Sequence, residues 1–286
     1  MCGMLIALHD PAYPALLKEI PDPPPALYIK GAFPKAEYPP FAIVGTRRAT
    51  PQGRETARRF GRALAAAGFP IVSGLALGID AAAHVGCLEA PNGAAIAALA
   101  GGLDDMYPHE NAKLGAHVIE RGGAIVSEYP PGMPPYKGHF LRRNRIVSGL
   151  ARGVLIIEAP ADSGSLATAR HAMDQNRDLF VVPGPIDHPN FKGSHELIRQ
   201  GATLVTTPEE ILEEYGVTRE AVAAKAEQTA APHETLILST LREIGGTHDI
   251  DKIISMTKLE PRVVAQTLSL LLLRGLIKEV PGGYTI

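Results

Sequence analysis

Two stretches of this 286-residue chain place cations where an anion could be held. In the first, Gly45-Thr46-Arg47-Arg48 follows the apolar run Phe41 to Val44. A tight loop that closes a buried strand and opens a helix turns backbone N–H groups outward, which favours an anion, and Arg47 adds a guanidinium to them. The arrangement recurs at Ser73-Gly74-Leu75-Ala76-Leu77-Gly78, after Ile71-Val72, with Asp80 near the start of the next helix. In the second stretch, residues 130–150 read PPGMPPYKGHFLRRNRIVSGL. There Lys137, Arg142, Arg143 and Arg145 bracket Tyr136, His139 and Phe140, and the prolines keep the first half extended. Cations interleaved with rings suit a single nucleic-acid strand, because cations meet phosphates and rings stack on bases. Phe140 reads equally well as a core anchor for its loop, and Arg143 or Arg145 as partners of sheet-edge acids.

The net charge of −2 hides an uneven distribution. Residues 41–62 hold six Arg against one Glu, and residues 137–152 hold five basic residues and no acid. Residues 208–228 hold six Glu against Arg219 and Lys225. Arg54, Arg58 and Arg62 recur every four residues, the mark of a solvated helix stripe, whereas Arg47 sits in a loop directly after a strand.

Other chemistries find less support. No G-x-G-x-x-G follows the first strand and no P-loop Lys-Ser/Thr pair occurs, which argues against an adenine dinucleotide and against ATP hydrolysis. His84, His109, His117, His139 and His195 are scattered and form no metal-ligand spacing, so no metal or other cofactor is expected. Ser73, His84 and Asp80 assemble a triad on paper, without a nucleophile-elbow pattern. The two cysteines, Cys2 and Cys87, fit a reducing cytosol. MCGMLIALHDP lacks a basic n-region and a long h-region, and no apolar run nears the ~20 residues of a membrane span, so the expectation is a cytoplasmic protein without membrane contact.

These loops need a frame. Apolar strand candidates recur at 41–44, 71–72, 94–99, 124–127, 154–158, 179–182 and 203–206, separated by helical segments. That alternation predicts an α/β fold, a Rossmann-like doubly wound and mainly parallel sheet. Loops after parallel strands gather at one edge, and here they read GTRR, SGLALG, AGGLDDMYP, SEYPPG, EAPADSGS and VPGPID. Six loops of glycine, proline and small polar residues on one edge make a site. The proline-rich residues 1–40 read as an arm packed on this domain, with Leu27-Tyr28-Ile29 able to add an edge strand. Residues 41–215 form the main domain, 216–232 a linker and 233–286 a small unit.

Taken together, GTRRATPQG, SGLALGIDAAAH, AGGLDDMYPHEN, SEYPPG, RNRIVSGL, GSLATARHAMDQNR and VPG resemble the DprA/Smf family of DNA-processing proteins over about residues 13–215. The resemblance implies binding of single-stranded DNA, loading of the RecA recombinase, a homodimer, a role in natural transformation and competence, and no catalytic activity. By position it implies a DNA-binding set. Gly45, Thr46 and Arg47 come from the first loop, Ser73 and Gly74 from the second. Lys137, Phe140, Arg143, Asn144 and Arg145 come from the RNR segment, and Gly164, Ser165 and Thr168 from the GSLAT segment. Two positions depart from the family pattern: Leu141 stands where proline is usual, and His195 where asparagine is usual. The competing class is a nucleotide-processing enzyme akin to the lysine-decarboxylase-like phosphoribohydrolases. Their P-G-G-x-G-T-x-x-E pattern survives here only as Gly164 and Thr168 in Glu158 to Thr168.

In the last unit, Glu234 to Glu243, Ile250 to Thr257 and Glu260 to Arg274 read as helices, and residues 276–286 as a hairpin wing. The order resembles a winged helix. Six acids balance six bases there, and the third helix is mostly apolar, so protein contact is favoured over DNA reading. The segment Gly201 to Tyr215, with Leu204, Val205, Ile211 and Leu212, is the candidate dimer patch, or else a last strand with its covering helix.

Overall fold

The computed structural model describes residues 4–218, 232–273 and 275–286. It divides into two compact units, Met1–Val217 and Thr218–Ile286.

The first unit is built on one nine-stranded sheet. Its strands are β1 (Met4–Ala7), β2 (Ala26–Gly31), β3 (Phe41–Gly45), β4 (Ile71–Ser73), β5 (Ala95–Ala98), β6 (Ala124–Ser127), β7 (Gly153–Ile157), β8 (Asp178–Val181) and β9 (Thr203–Leu204). They lie in the order β1-β2-β6-β5-β4-β3-β7-β8-β9. All pairings from β3 to β9 are parallel, whereas β2 runs antiparallel to β6 and β1 antiparallel to β2. The α/β, doubly wound reading is therefore correct. The inner strands read as unbroken apolar runs because both their faces are covered, and every residue of β4, β5, β6 and β7 is buried. Two features of the proline-rich arm differ from expectation. Its 26–31 strand is not at the edge, because β1, unanticipated from sequence, pairs outside it.

Helix α1 (Ala15–Lys18) lies between β1 and β2, helices α2 (Pro51–Ala67), α3 (Ile79–Glu89), α4 (Ala112–Glu120), α5 (Lys137–Gly149), α6 (Ser165–Asp174) and α7 (Lys192–Arg199) connect the parallel strands, and α8 (Pro208–Glu214) follows β9. The start of α2 follows from its sequence: Thr50 caps it by accepting from the Gly53 N–H, and Pro51 fills the first turn. It ends at Gly68, whose φ of 108° suits only glycine comfortably. Its buried face, Ala57, Phe60, Gly61 and Leu64, packs on α3. A Cβ on Gly61 would stand 2.4 Å from the Ala83 carbonyl oxygen, so the missing side chain sets how closely these helices approach. On another side of the sheet's core, Leu17, Ile146, Val147, Leu150, Ala169 and Ala172 from α1, α5 and α6 form one apolar cluster with the strands.

From β3 the chain steps outward through β4, β5 and β6, and α5 then carries it back to β7 on the other side of β3. The strand order reverses between β3 and β7, and in open parallel sheets ligands bind outside the carboxyl ends of the strands at such a reversal.

Val205, Ile211 and Leu212 are buried within the first unit, so most of the apolar patch considered for dimer contact is core, and only Leu204 faces solvent. The second unit contains helices α9 (Pro232–Ile244), α10 (Ile250–Thr257) and α11 (Pro261–Leu273) and the hairpin β10 (Lys278–Val280) and β11 (Gly283–Thr285). Its core is Ile237, Leu241, Ile253, Val264, Leu268, Leu271 and Ile277. Most of the expected 216–232 linker lies outside the described residues. Among the described residues no helix is long and apolar enough to cross a membrane.

Candidate nucleic-acid interface

The loop from β3 to α2 is held to its neighbours by backbone geometry. Gly45 has no room for a side chain, since a Cβ would lie 1.8 Å from the Ile157 carbonyl oxygen of β7. The Thr46 N–H donates to the Glu158 carbonyl at 2.8 Å, and the Thr46 hydroxyl accepts from the Arg48 N–H at 3.2 Å. Thr46 is buried by these contacts, which turns Arg47 outward. The Arg47 guanidinium lies over the Phe140 ring, 4.7 Å from its centre, and the Tyr107 ring approaches Phe140 at 5.8 Å. Arg47, Gly74, Ala76, Leu77, Tyr107, Phe140 and Arg143 line a shallow cleft at the carboxyl edge of the sheet. An exposed cation on a ring face gains attraction from the ring quadrupole, and both groups can stack on a planar base.

Helix α5 supplies the rest of the exposed surface. Lys137, Phe140, Leu141 and Asn144 recur at spacings of three and four residues, so they share one face. Lys137 is exposed in the first turn, Leu141 is 51 % exposed, and Phe140 and Asn144 are half-buried. The Asn144 side-chain amide donates to the Gly164 carbonyl at 3.0 Å, tying this face to the amino end of α6. Gly164 is exposed there, while Ser165 and Thr168 are buried, with the Ser165 and Ser163 hydroxyls sharing a hydrogen bond at 2.7 Å.

The remaining arginines of the RNR segment point inward, against the expectation of phosphate-facing cations. Arg143 is 4 % exposed and donates to the Gly74 carbonyl at 2.7 Å and to the Ala98 carbonyl. A Cβ on Gly74 would meet the Arg143 guanidinium, which explains a glycine there. Burial lowers the Arg143 pKa to about 10, against the opposing pull of Asp80, so it stays charged at neutral pH. The buried Asp80 carboxylate accepts from the Gly74 N–H at 3.0 Å and the Ala76 N–H at 3.4 Å. Burial raises the Asp80 pKa, while Arg143 and those amide donors pull it back. The loop of Gly74 is thus held from both sides, its N–H by Asp80 and its C=O by Arg143. Arg145 is equally internal: it donates to the Glu128 carboxylate at 2.6 Å and forms an ion pair with Asp22 at 3.0 Å.

Ser73, Asp80 and His84 do not form a triad. The Ser73 hydroxyl is fully buried and donates to the Ile43 carbonyl at 2.7 Å. Neither ring nitrogen of the buried His84 has a hydrogen-bond partner, and burial lowers its pKa to about 4, leaving it neutral. Arg47 pairs with neither Asp80 nor Glu128, since those carboxylates serve the loop amides and Arg142 and Arg145. His195 bonds the Gly184 carbonyl at 3.1 Å and stacks on Phe191, so it holds the loop after β8.

Of the thirteen residues expected from sequence, then, Arg47, Lys137, Phe140, Asn144, Gly45 and Gly164 reach the surface. Thr46, Ser73, Gly74, Arg143, Arg145, Ser165 and Thr168 form the layer beneath. Sequence reasoning missed Tyr107, although its aromatic ring in the AGGLDDMYP loop was a usable signal. It also missed Asn190, whose side chain donates to the Arg48 carbonyl at 3.1 Å and to the Glu158 carboxylate at 2.9 Å; nothing local in the sequence marks it.

The family model described as DNA recombination-mediator protein A matches residues 4–216. Protein Smf of Escherichia coli is 41% identical over 98% of this chain and 76% of its own length. The X-ray structure of DNA processing protein A from Streptococcus pneumoniae superposes with a TM-score of 0.68 at 40% identity, covering 74% of each chain. A solved structure of Helicobacter pylori DNA processing protein A, described for its unique single-stranded DNA binding mode, gives a TM-score of 0.64 at 33% identity, covering 74% of this chain and 95% of that one.

Proposed function

Because this chain belongs to the DNA recombination-mediator protein A family, whose members include the Smf and DprA proteins, we propose that it binds single-stranded DNA along the carboxyl edge of its sheet, without sequence preference. The observation that carries the reading is the Arg47 guanidinium seated on Phe140 in the edge cleft, with Lys137 on the same face of α5 as Phe140. Arg47 grips a phosphate through its bidentate fork, Lys137 supplies a point charge to a neighbouring phosphate, and the ring edge of the cleft takes a base. The single-stranded DNA binding described for the Helicobacter pylori relative supports the same ligand.

The reading extends, on the family resemblance, to a homodimer in the cytoplasm that protects incoming DNA and delivers it to the RecA recombinase in natural transformation. It assigns no catalytic step. Of the acids in the loop after β7, Asp162 is exposed while Glu158 is 1% exposed with its carboxylate engaged by internal donors, and the loop lacks the glycine pair and following glutamate of the phosphoribohydrolase pattern. The second unit is assigned to protein contact as a winged-helix-like module, on its balanced charge and the exposed Leu236, Met256 and Leu270.

The test is a gel shift with single- and double-stranded DNA over a salt series. Single strands should bind in preference to duplex, with a log–log salt slope of roughly −0.7 per contacted phosphate. Salt-insensitive binding, or equal affinity for duplex, would count against the proposal.

A further inference from the structure

Glu158 lies where the strand order reverses, immediately after β7, and its backbone is unusual. Its φ of 49° is left-handed, a region that side chains other than glycine rarely adopt. The turn brings its carboxylate under the amino end of α2. There it accepts from the Thr50 N–H at 2.9 Å, from the Thr50 hydroxyl, and from the Asn190 side chain at 2.9 Å. A Cβ on Gly53, in the first turn of α2, would stand 2.3 Å from the Glu158 Oε1, so the helix lacks a side chain at the point the carboxylate fills. The amino end of a 17-residue helix carries a partial positive charge; here Pro51 has no N–H and the Gly53 N–H is taken by Thr50, so the carboxylate meets the helix at its cap residue, Thr50. This is the position that a phosphate takes in dinucleotide-binding sheets. Here the chain's own carboxylate is in it.

The same residue brackets the loop that bears Arg47. Its carbonyl holds Thr46, its carboxylate holds Thr50, and Asn190 bridges that carboxylate to the Arg48 carbonyl. The geometry points to Glu158 as an internal anion that occupies the phosphate position of α2 and thereby fixes the Arg47 loop, a positioning residue for the DNA-facing arginine. One consequence is exclusion: free phosphate and nucleotides are kept out of the crevice between β3 and β7, and a DNA phosphate must pass above it, at Arg47. The link to DNA rests on the single-strand reading, whereas the occupied anion position does not.

Two arms separate these. Glu158→Gln keeps the side-chain size and removes the charge. Its single-strand affinity should fall on the order of tenfold. In an Arg47→Ala background the same change should cost less than about twofold, because an effect exerted through Arg47 cannot be lost twice. Wild-type affinity for Glu158→Gln, or a full tenfold loss in both backgrounds, overturns the positioning role. In the second arm, inorganic phosphate should raise the melting temperature of Glu158→Ala and leave the wild type unchanged; if Glu158→Ala does not fold, Glu158→Gln is compared instead. An equal response of variant and wild type, or none in either, overturns the internal anion. If the wild-type protein binds no single strand, the functional reading fails, and the phosphate comparison still decides the role of Glu158.

Discussion

The two ends of helix α5 are chemically alike in sequence and opposite in structure. Lys137 and Phe140 near its start face solvent or the cleft, whereas Arg143 and Arg145, one to two turns later, are each 4 % exposed. The first pair is free to meet a ligand. The second holds loops and strands together: Arg143 ties Gly74 to Ala98, and Arg145 ties Glu128 to Asp22. A run of basic residues therefore does not measure surface charge. A guanidinium suits an interior role because five fixed donors can satisfy several backbone carbonyls at once. The displayed cations come from the start of α5, at Lys137, and from a different element, the Arg47 loop.

The largest expected effect lies in the buried set. Arg145→Ala leaves the buried carboxylate of Glu128 without its main partner and should cost about 3–5 kcal/mol of stability, read by urea unfolding. A loss under about 1 kcal/mol would erase the contrast between the two ends of the helix.

Next comes a pH effect from the same interior. The pKa of His84 falls from an ordinary ~6.5 when unfolded to about 4 in the fold, so the unfolded chain binds the extra proton between those values. The stability from neutral burial of His84 is fully present above ~6.5 and disappears as pH drops towards 4, amounting to ~3 kcal/mol. In His84→Leu, stability measured across that range should lose this part of its slope. An unchanged slope would mean that the ring is protonated in the fold.

Smaller effects belong to the exposed set. Arg47→Ala should weaken single-strand binding by ~1 kcal/mol or more while stability stays within about 0.5 kcal/mol of wild type. A clear drop in melting temperature would instead make Arg47 a structural residue like Arg143. Lys137→Ala should have the smallest effect, near ~1 kcal/mol on binding, and should reduce the steepness of the salt slope by roughly 0.7. An unaltered slope would place Lys137 off the strand's path.

Much of the frame was legible in the sequence, for physical reasons. Parallel strands covered on both faces must be continuous apolar runs, and all seven strand candidates from 41 to 206 mark real strands. β1 escaped notice because it is four residues long and exposes Met4 and Leu5. The loops at the carboxyl edge were legible as a group, since close backbone approach demands small residues. Which arginines reach solvent was not, because it depends on where Ala98, Gly74 and Glu128 stand across the fold. Nor was the clasp at Glu158, which joins Thr50 and Asn190 across 108 and 32 residues of sequence. The Gly201 to Tyr215 segment could be read either way, because a last strand and its covering helix have the same apolar composition as an interface; Val205, Ile211 and Leu212 are core.

The most direct test of the exposed Arg47–Lys137 edge is fluorescence anisotropy of a labelled single-stranded oligonucleotide with the Arg47→Ala/Lys137→Ala double variant, alongside its melting temperature. The variant is expected to melt with the wild type, to bind more weakly than either single variant, and to show a flatter salt slope. A double variant that melts with the wild type and binds with wild-type affinity would contradict a DNA path over this edge.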